Sequence, residues 1–141
     1  NIKLAGFLLE QGCDPNHCMW AMAFRDDPTG IKLLGANGAD IDPVYESDES
    51  TPLLVAVKGG HFLAAKALLD LGADVNYQGP KKLTPLHWAL KNGAGLKQLR
   101  LLLDHGARGD IEDLEGRTAS TSMKRKRDPE FPKLAAKYFP G

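Results

Sequence analysis

Apolar positions along this chain recur at helical spacing in short blocks, and turn-forming residues bound each block. Leu86, Ala89 and Leu90 fall at i, i+3 and i+4 and so share one helix face, with the small Ala89 allowing a neighbour to pack close. The run Leu99, Leu101, Leu102 and Leu103 supplies a partner helix. Thr84 and Pro85 precede the first block. A threonine hydroxyl can bond an orphan backbone N–H, and proline at the first helical position has no N–H to leave unsatisfied, so a helix is predicted to start here. Upstream, Thr51-Pro52 opens a block with Leu53, Ala56 and Val57, Gly59-Gly60-His61 forms a turn, and Phe62, Ala65, Leu68 and Leu69 make a second helix. Gly93-Ala94-Gly95 is the equivalent turn with one more residue. Gly12, Gly38, Gly72 and Gly106 stand where outer helices should stop in a left-handed residue.

The blocks repeat. Thr51-Pro52-Leu53-Leu54-Val55-Ala56 lies 33 residues before Thr84, and Gly38-Ala39-Asp40, Gly72-Ala73-Asp74 and Gly106-Ala107 follow at steps of 34. A period of this length marks a repeat array. At TPLHWA from Thr84, at the pairs Leu68-Leu69 and Leu102-Leu103, and at GADVN from Gly72 to Asn76, the chain resembles an ankyrin repeat protein. That resemblance implies an all-α solenoid of stacked helix-turn-helix units with short β-hairpin fingers. The expected divisions are a partial repeat at 1–16, a shortened repeat at 17–43, repeats at 44–77 and 78–111, and a C-terminal cap at 112–141.

Both ends depart from the pattern. Residues 1–16 carry Leu4, Phe7 and Leu8 at helical spacing and then a turn at Pro15-Asn16, without the repeat's first helix. Because Ile2, Leu4 and Phe7 are offered at the start, where a terminal repeat should be polar, the sequence is expected to be a fragment lacking upstream residues. The second repeat keeps Met19, Met22, Ala23 and Leu33-Leu34, but it has no Thr-Pro start and only 26 residues between Gly12 and Gly38. The eight absent positions are expected to be the projecting hairpin, and Asp27 or Thr29 should cap the second helix. The last segment has a polar first helix around Ser120 and Thr121 and one apolar stripe of Leu134, Ala135 and Phe139, as a capping repeat needs.

With 141 residues, 43% of them hydrophobic, the chain can bury a continuous core. Lys plus Arg equals Asp plus Glu at 18 each, so no overall field favours nucleic acid or an anionic membrane surface. No apolar run approaches a membrane span, and no signal-like start is present. Cys13 and Cys18, five apart, do not read as a disulfide framework, which favours a reducing compartment. Cys13, Asp14, His17 and Cys18 are ligand types, but their spacing fits no closed zinc motif, so no metal is expected. No nucleophile, base and acid share a recognisable geometry and no phosphate-binding glycine loop occurs, so neither catalytic residues nor a cofactor are expected. The resemblance gives His61 and His87 a structural role, bonding their own backbone and the next repeat.

Binding candidates lie on the fingers and on the groove side of the inner helices, the strip that a stacked array leaves free for a partner. One finger is acidic, with Tyr45, Glu46, Asp48 and Glu49; the next is basic, with Tyr77, Gln78, Lys81 and Lys82. Arg25, Lys58, Lys91 and Asn92 are expected at corresponding groove positions. Such mixed charge suits a protein partner better than a polyanion. Asn76, with Leu68, Asp74 and Val75, is similar to the pattern modified by the asparaginyl hydroxylase of ankyrin repeats. Lys124, Arg125, Lys126 and Arg127 form a candidate nuclear localisation or phosphate-contacting run. The expectation is a monomeric, cytoplasmic, non-enzymatic protein-binding module. Two other readings stand beside it: a targeting segment of a larger enzyme or secreted effector, and a nuclear protein using the basic run.

Overall fold

Helix starts in this chain are set by the same local chemistry each time. Thr51, Thr84 and Thr118 are N-caps whose hydroxyls accept the N–H of Leu54, His87 and Thr121. Asp14 and Asp27 do the same with their carboxylates, accepting the N–H of Asn16 and Gly30. Pro15, Pro28, Pro52 and Pro85 each follow a cap directly. In this computed structural model residues 10–12 and 14–140 are described. The helix expected around Leu4, Phe7 and Leu8 and the apolar start at Ile2 fall outside them.

Eight α-helices occur among the described residues: α1 (Pro15–Phe24), α2 (Pro28–Ala36), α3 (Pro52–Lys58), α4 (Phe62–Asp70), α5 (Pro85–Lys91), α6 (Leu96–Asp104), α7 (Ala119–Lys124) and α8 (Glu130–Tyr138). The turn expected at Pro15-Asn16 is instead the beginning of α1. Asp14-Pro15 does there what Thr-Pro does elsewhere.

The chain divides into two compact units, one through Asp74 and one from Val75. In the first, α1 pairs with α2 and α3 with α4, and the pairs stack through α1 against α3 and α2 against α4. Met19, Met22, Ile31, Leu34, Leu53, Leu54 and Leu68 are fully buried between them. Each large side chain so buried contributes about 1.5–3 kcal/mol. In the second unit α5 pairs with α6 and α7 with α8, α5 packs on α7 and α6 on α8, and the core is Leu86, Leu99, Leu102, Met123 and Ala135.

The outer helices end as expected: Gly12, Gly38, Gly72 and Gly106 all have positive φ, between 79° and 93°. The fingers are slighter than the expected hairpins. Among the described residues no strand forms, and only isolated antiparallel bridges occur, Tyr45 with Ser50 and Glu112 with Thr118. The finger from Tyr77 closes instead through Gly79 N–H to the Leu83 carbonyl at 3.1 Å around a 3-10 turn, Pro80–Lys82. Pro80 has no N–H for a ladder, and Lys81 and Lys82 both take φ of 58°, which bends the chain out of extended geometry.

Candidate functional site

A recurring clip positions the loops. The Asn16 side-chain carbonyl accepts the Asp40 N–H at 3.2 Å, the Asp42 carboxylate accepts the Asp74 N–H at 3.1 and 3.2 Å, and the Asn76 side-chain carbonyl accepts the Arg108 N–H at 2.9 Å. Burial foremost, with the nearby carboxylates of Asp74 and Asp40, raises the Asp42 carboxyl above its ordinary value even though the Asp74 N–H opposes this. The last two clips span 32 residues and the first 24, the same shortfall of eight seen in the glycine spacing. Asp42 and Asn76 precede a finger, whereas Asn16 already lies in the first turn of α1. The residues absent from the shortened repeat are therefore its finger.

In the first unit, α1 and the finger after α2 line a cleft of about 500 Å³ whose walls include Asn16, His17, Trp20, Val44, Tyr45 and Glu46. Tyr45 is half-buried, and its hydroxyl donates to the Asn16 carbonyl at 2.6 Å. Burial, reinforced by the carboxylates of Asp14, Asp40 and Asp48, pushes the phenol well above its ordinary value. Glu46, Asp48 and Glu49 stand exposed on the finger, where the Asp48 carboxylate accepts the Ser50 N–H. Arg25 is exposed at the C-terminus of α1, and Lys58 is half-exposed at the end of α3.

The left-handed residues fix the register of these helices. Asp26, Gly60 and Gly93 have φ of 55°, 76° and 75°, so they are equivalent. Two residues earlier stand Phe24, Lys58 and Lys91, and one residue earlier Arg25, Gly59 and Asn92. Arg25 therefore corresponds to Asn92 and not to Lys58 or Lys91. The displacement was hidden because Asp26 fills a position where its counterparts are glycine; its carboxylate is held by the Ala64 N–H at 2.8 Å.

Phe24 and Trp20 are what the sequence reading missed. They stack at 5.1 Å between ring centroids with planes 8° apart, and both reach solvent, Phe24 58% exposed and Trp20 37%. Helix α1 buries Cys18, Met19, Met22 and Ala23 on one side and carries aromatic rings on the other, so it has no fully polar face. A helix apolar on both sides was the available signal.

In the second unit, the finger from Tyr77 is held by backbone and amide. The Gln78 side-chain amide donates to the carbonyls of Lys82 and Glu112, both at 3.0 Å, and the Leu114 N–H donates to the Lys81 carbonyl at 2.9 Å. Tyr77 is half-buried, while the side chains of Lys81 and Lys82 are exposed. Below this finger lies a cleft of about 410 Å³, lined by Lys81, His87, Lys91, Asp113, Arg117 and Lys126 among others. Lys91 places its ammonium 5.0 Å over the Trp88 ring, and Asn92 ends α5. Burial acts to raise the Asp113 carboxyl, but the N–H groups of Arg117 and Glu115 and the Arg117 guanidinium outweigh it and hold the group below the usual carboxylate range.

The basic run is split by the fold. Lys124 ends α7, Arg125 is its C-cap, Arg127 is exposed, and Lys126 lies 5.7 Å over the Phe131 ring at the edge of the cleft. Asn76, besides its clip to Arg108, donates from its amide nitrogen to the Gly106 carbonyl at 3.2 Å, so both ends of the side chain are engaged.

His87 has the role the resemblance implied. Its Nδ1 accepts the Thr84 N–H at 3.1 Å, which leaves Nε2 as the donor to the Arg117 carbonyl, 30 residues on, at 3.1 Å. His61 differs: it caps α4 without a side-chain bond and sets its ring 6.4 Å from Phe24. The His17 Nδ1 lies 3.3 Å from the Asp14 carboxylate, and Asp14 also caps α1. Cys18 is buried and disulfide-bonded, against the expectation of unpaired cysteines, and this removes the support they lent to a reducing compartment. Cys13 lies outside the described residues. Among the described residues no group of three His, Cys, Asp or Glu is placed to hold a metal ion, and no helix is long and apolar enough to cross a membrane.

A family model for ankyrin repeats in three copies matches residues 18–113. A putative ankyrin repeat protein of Rickettsia bellii is 32% identical over 120 residues, covering 82% of this chain and 47% of that protein. The putative E3 ubiquitin-protein ligase XBAT34 of Arabidopsis thaliana is 36% identical over 112 residues, 78% of this chain and 30% of the ligase. Ankyrin repeat and SOCS box protein 16 of Mus musculus is 38% identical over 96 residues, 62% of this chain and 21% of that protein. The chain thus spans less than half the length of these relatives. With its Thr-Pro helix starts, its left-handed glycine stops and its family match from Cys18 to Asp113, the chain belongs to the ankyrin repeat family.

Proposed function

We propose that this chain is a non-enzymatic protein-binding module and that, in its second unit, the cleft between the finger and α5 takes the partner. One observation carries the reading: Lys81, Lys91 and Lys126 converge on that cleft although none is needed for the core, and the two carboxylates there, Asp113 and Glu115, are both paired with Arg117. The finger that presents Lys81 is tied down by Gln78 and Leu114, so little conformational entropy is lost when a partner docks. Three cations with paired anions favour an acidic stretch of a folded or extended protein. The lengths of the relatives support a second, compatible reading, in which the module recruits a target to an activity carried elsewhere on a longer chain.

The test is capture of partners on immobilised wild type and on the variant carrying Lys81→Glu, Lys91→Glu and Lys126→Glu, compared by quantitative mass spectrometry, with thermal unfolding measured on both. The expected result is loss of specific partners with an unchanged melting temperature. Equal capture by both proteins refutes the cleft assignment.

A further inference from the structure

The first unit carries a surface of opposite character. Trp20 and Phe24 stack in the open on α1, Val44 is 52% exposed on the finger, and Trp20 and Val44 share the wall of the same cleft. Exposed aromatics at the edge of a cleft mark binding surfaces, because a stacked pair offers large rigid area that water solvates poorly; here Trp20 lines the cleft and Phe24 stacks on it. Between Lys32 and Lys58 the chain has five carboxylates, Asp40, Asp42, Glu46, Asp48 and Glu49, and no Lys or Arg. Those of Asp40 and Asp48 lie close enough to the cleft to act on the Tyr45 hydroxyl, as does that of Asp14. The finger holding them is braced by the Tyr45 bond to the Asn16 carbonyl and by the clip from Asn16 to Asp40.

We infer that this cleft binds a basic peptide segment of a protein partner, one bulky apolar side chain seating against Trp20, Phe24 and Val44 while flanking lysine or arginine residues meet Asp40, Glu46 and Asp48. The inference rests on the protein-binding reading above but assigns a different unit and the opposite charge of ligand. The apolar anchor supplies the affinity, since exposed charge pairs contribute little each, and the carboxylates select the sign of the flanks.

The experiment measures fluorescence anisotropy of labelled synthetic peptides with a central leucine, phenylalanine or tryptophan. One set is flanked by lysine and arginine, a second by glutamate, and a third has the basic flanks with alanine at the centre. Basic peptides with an apolar centre should bind, the other two sets should bind at least about tenfold more weakly, and the preference should shrink with added salt. Trp20→Ala should weaken binding at least about tenfold. Glu46→Lys with Asp48→Lys, both on exposed side chains that the core does not use, should reverse the preference for flanks. Indifference to flank charge, or binding that survives both variants, overturns the inference. So does a concentration-dependent dimer in sedimentation that Trp20→Ala dissociates, because a second copy then covers the face. If the peptides bind but lose affinity only with the Lys81, Lys91 and Lys126 variant, this assignment fails and the protein-binding reading stands. If no peptide binds and partner capture also fails, both fall.

Discussion

Replacing His87 with alanine tests the joint on which the second unit's first helix depends. The Thr84 N–H is fully buried and has the His87 Nδ1 as acceptor, so the variant leaves a buried donor without a partner. Such a loss costs about 1–3 kcal/mol, and the vanished bond from Nε2 to the Arg117 carbonyl adds about 1 kcal/mol. The expected loss is about 2–4 kcal/mol. For 141 residues at about 2.1 cal/mol/K each, the unfolding entropy is about 0.3 kcal/mol/K, so an all-or-none transition should drop by about 7–13 °C. Urea and thermal unfolding followed by far-ultraviolet circular dichroism give the number. Hydrogen exchange at the Thr84 amide gives the cause, since its protection should fall more than that of Leu102 in α6. A loss under about 1 kcal/mol, or an unchanged exchange rate at Thr84, refutes the reasoning that this histidine is a capping group.

Three further outcomes are expected. Thr51→Ala should destabilise by about 1 kcal/mol, because the hydroxyl capping Leu54 N–H is buried; an unchanged urea midpoint would contradict it. Lys82→Gly should stabilise by about 0.5–1 kcal/mol, since an L-residue at φ of 58° is strained and glycine is not, with the greater freedom of glycine in the unfolded chain offsetting part of the gain. The stability difference between wild type and Asp113→Asn should be constant above about pH 5 and shrink as pH falls through the depressed folded-state value of Asp113: stabilisation by a carboxyl held low is present above its unfolded value, about 3.9, and lost on acidification. A difference independent of pH in an acid titration would show that Asp113 acts by shape and not by charge.

What was legible in the sequence is what local chemistry decides. Thr51-Pro52, Thr84-Pro85 and the glycines Gly38, Gly72 and Gly106 act within a few residues of themselves, and the helices they start or stop are found. Asp14-Pro15 was passed over because an aspartate cap resembles a turn residue until the helix after it is seen. The candidate surface was less legible because its geometry depends on partners far along the chain. Tyr45 as a finger residue suggests a free aromatic, but Asn16, 29 residues away, holds its hydroxyl. Gln78 likewise turns inward to Glu112, 34 residues on. Lys126 belongs with Lys81 and Lys91 only because α7 packs on α5. Trp20 and Phe24 directly follow the core positions Met19 and Ala23 of α1, and only the apolar character of both sides of that helix sets them apart in the sequence.

The loop clips bear on how such a chain can change in length over evolutionary time. Each pairs a side chain with a backbone amide 24 or 32 residues on, and the backbone half is available from almost any sequence. A tandem duplication of one such segment would carry its own side-chain acceptor and find its match in a backbone N–H of the copy beside it. The three clips already use asparagine twice and aspartate once, so the joint survives a change of residue type. The Asn16 clip forms although its repeat has no finger, which makes insertion and deletion of finger residues a route by which binding specificity can be rewritten without renegotiating the stack.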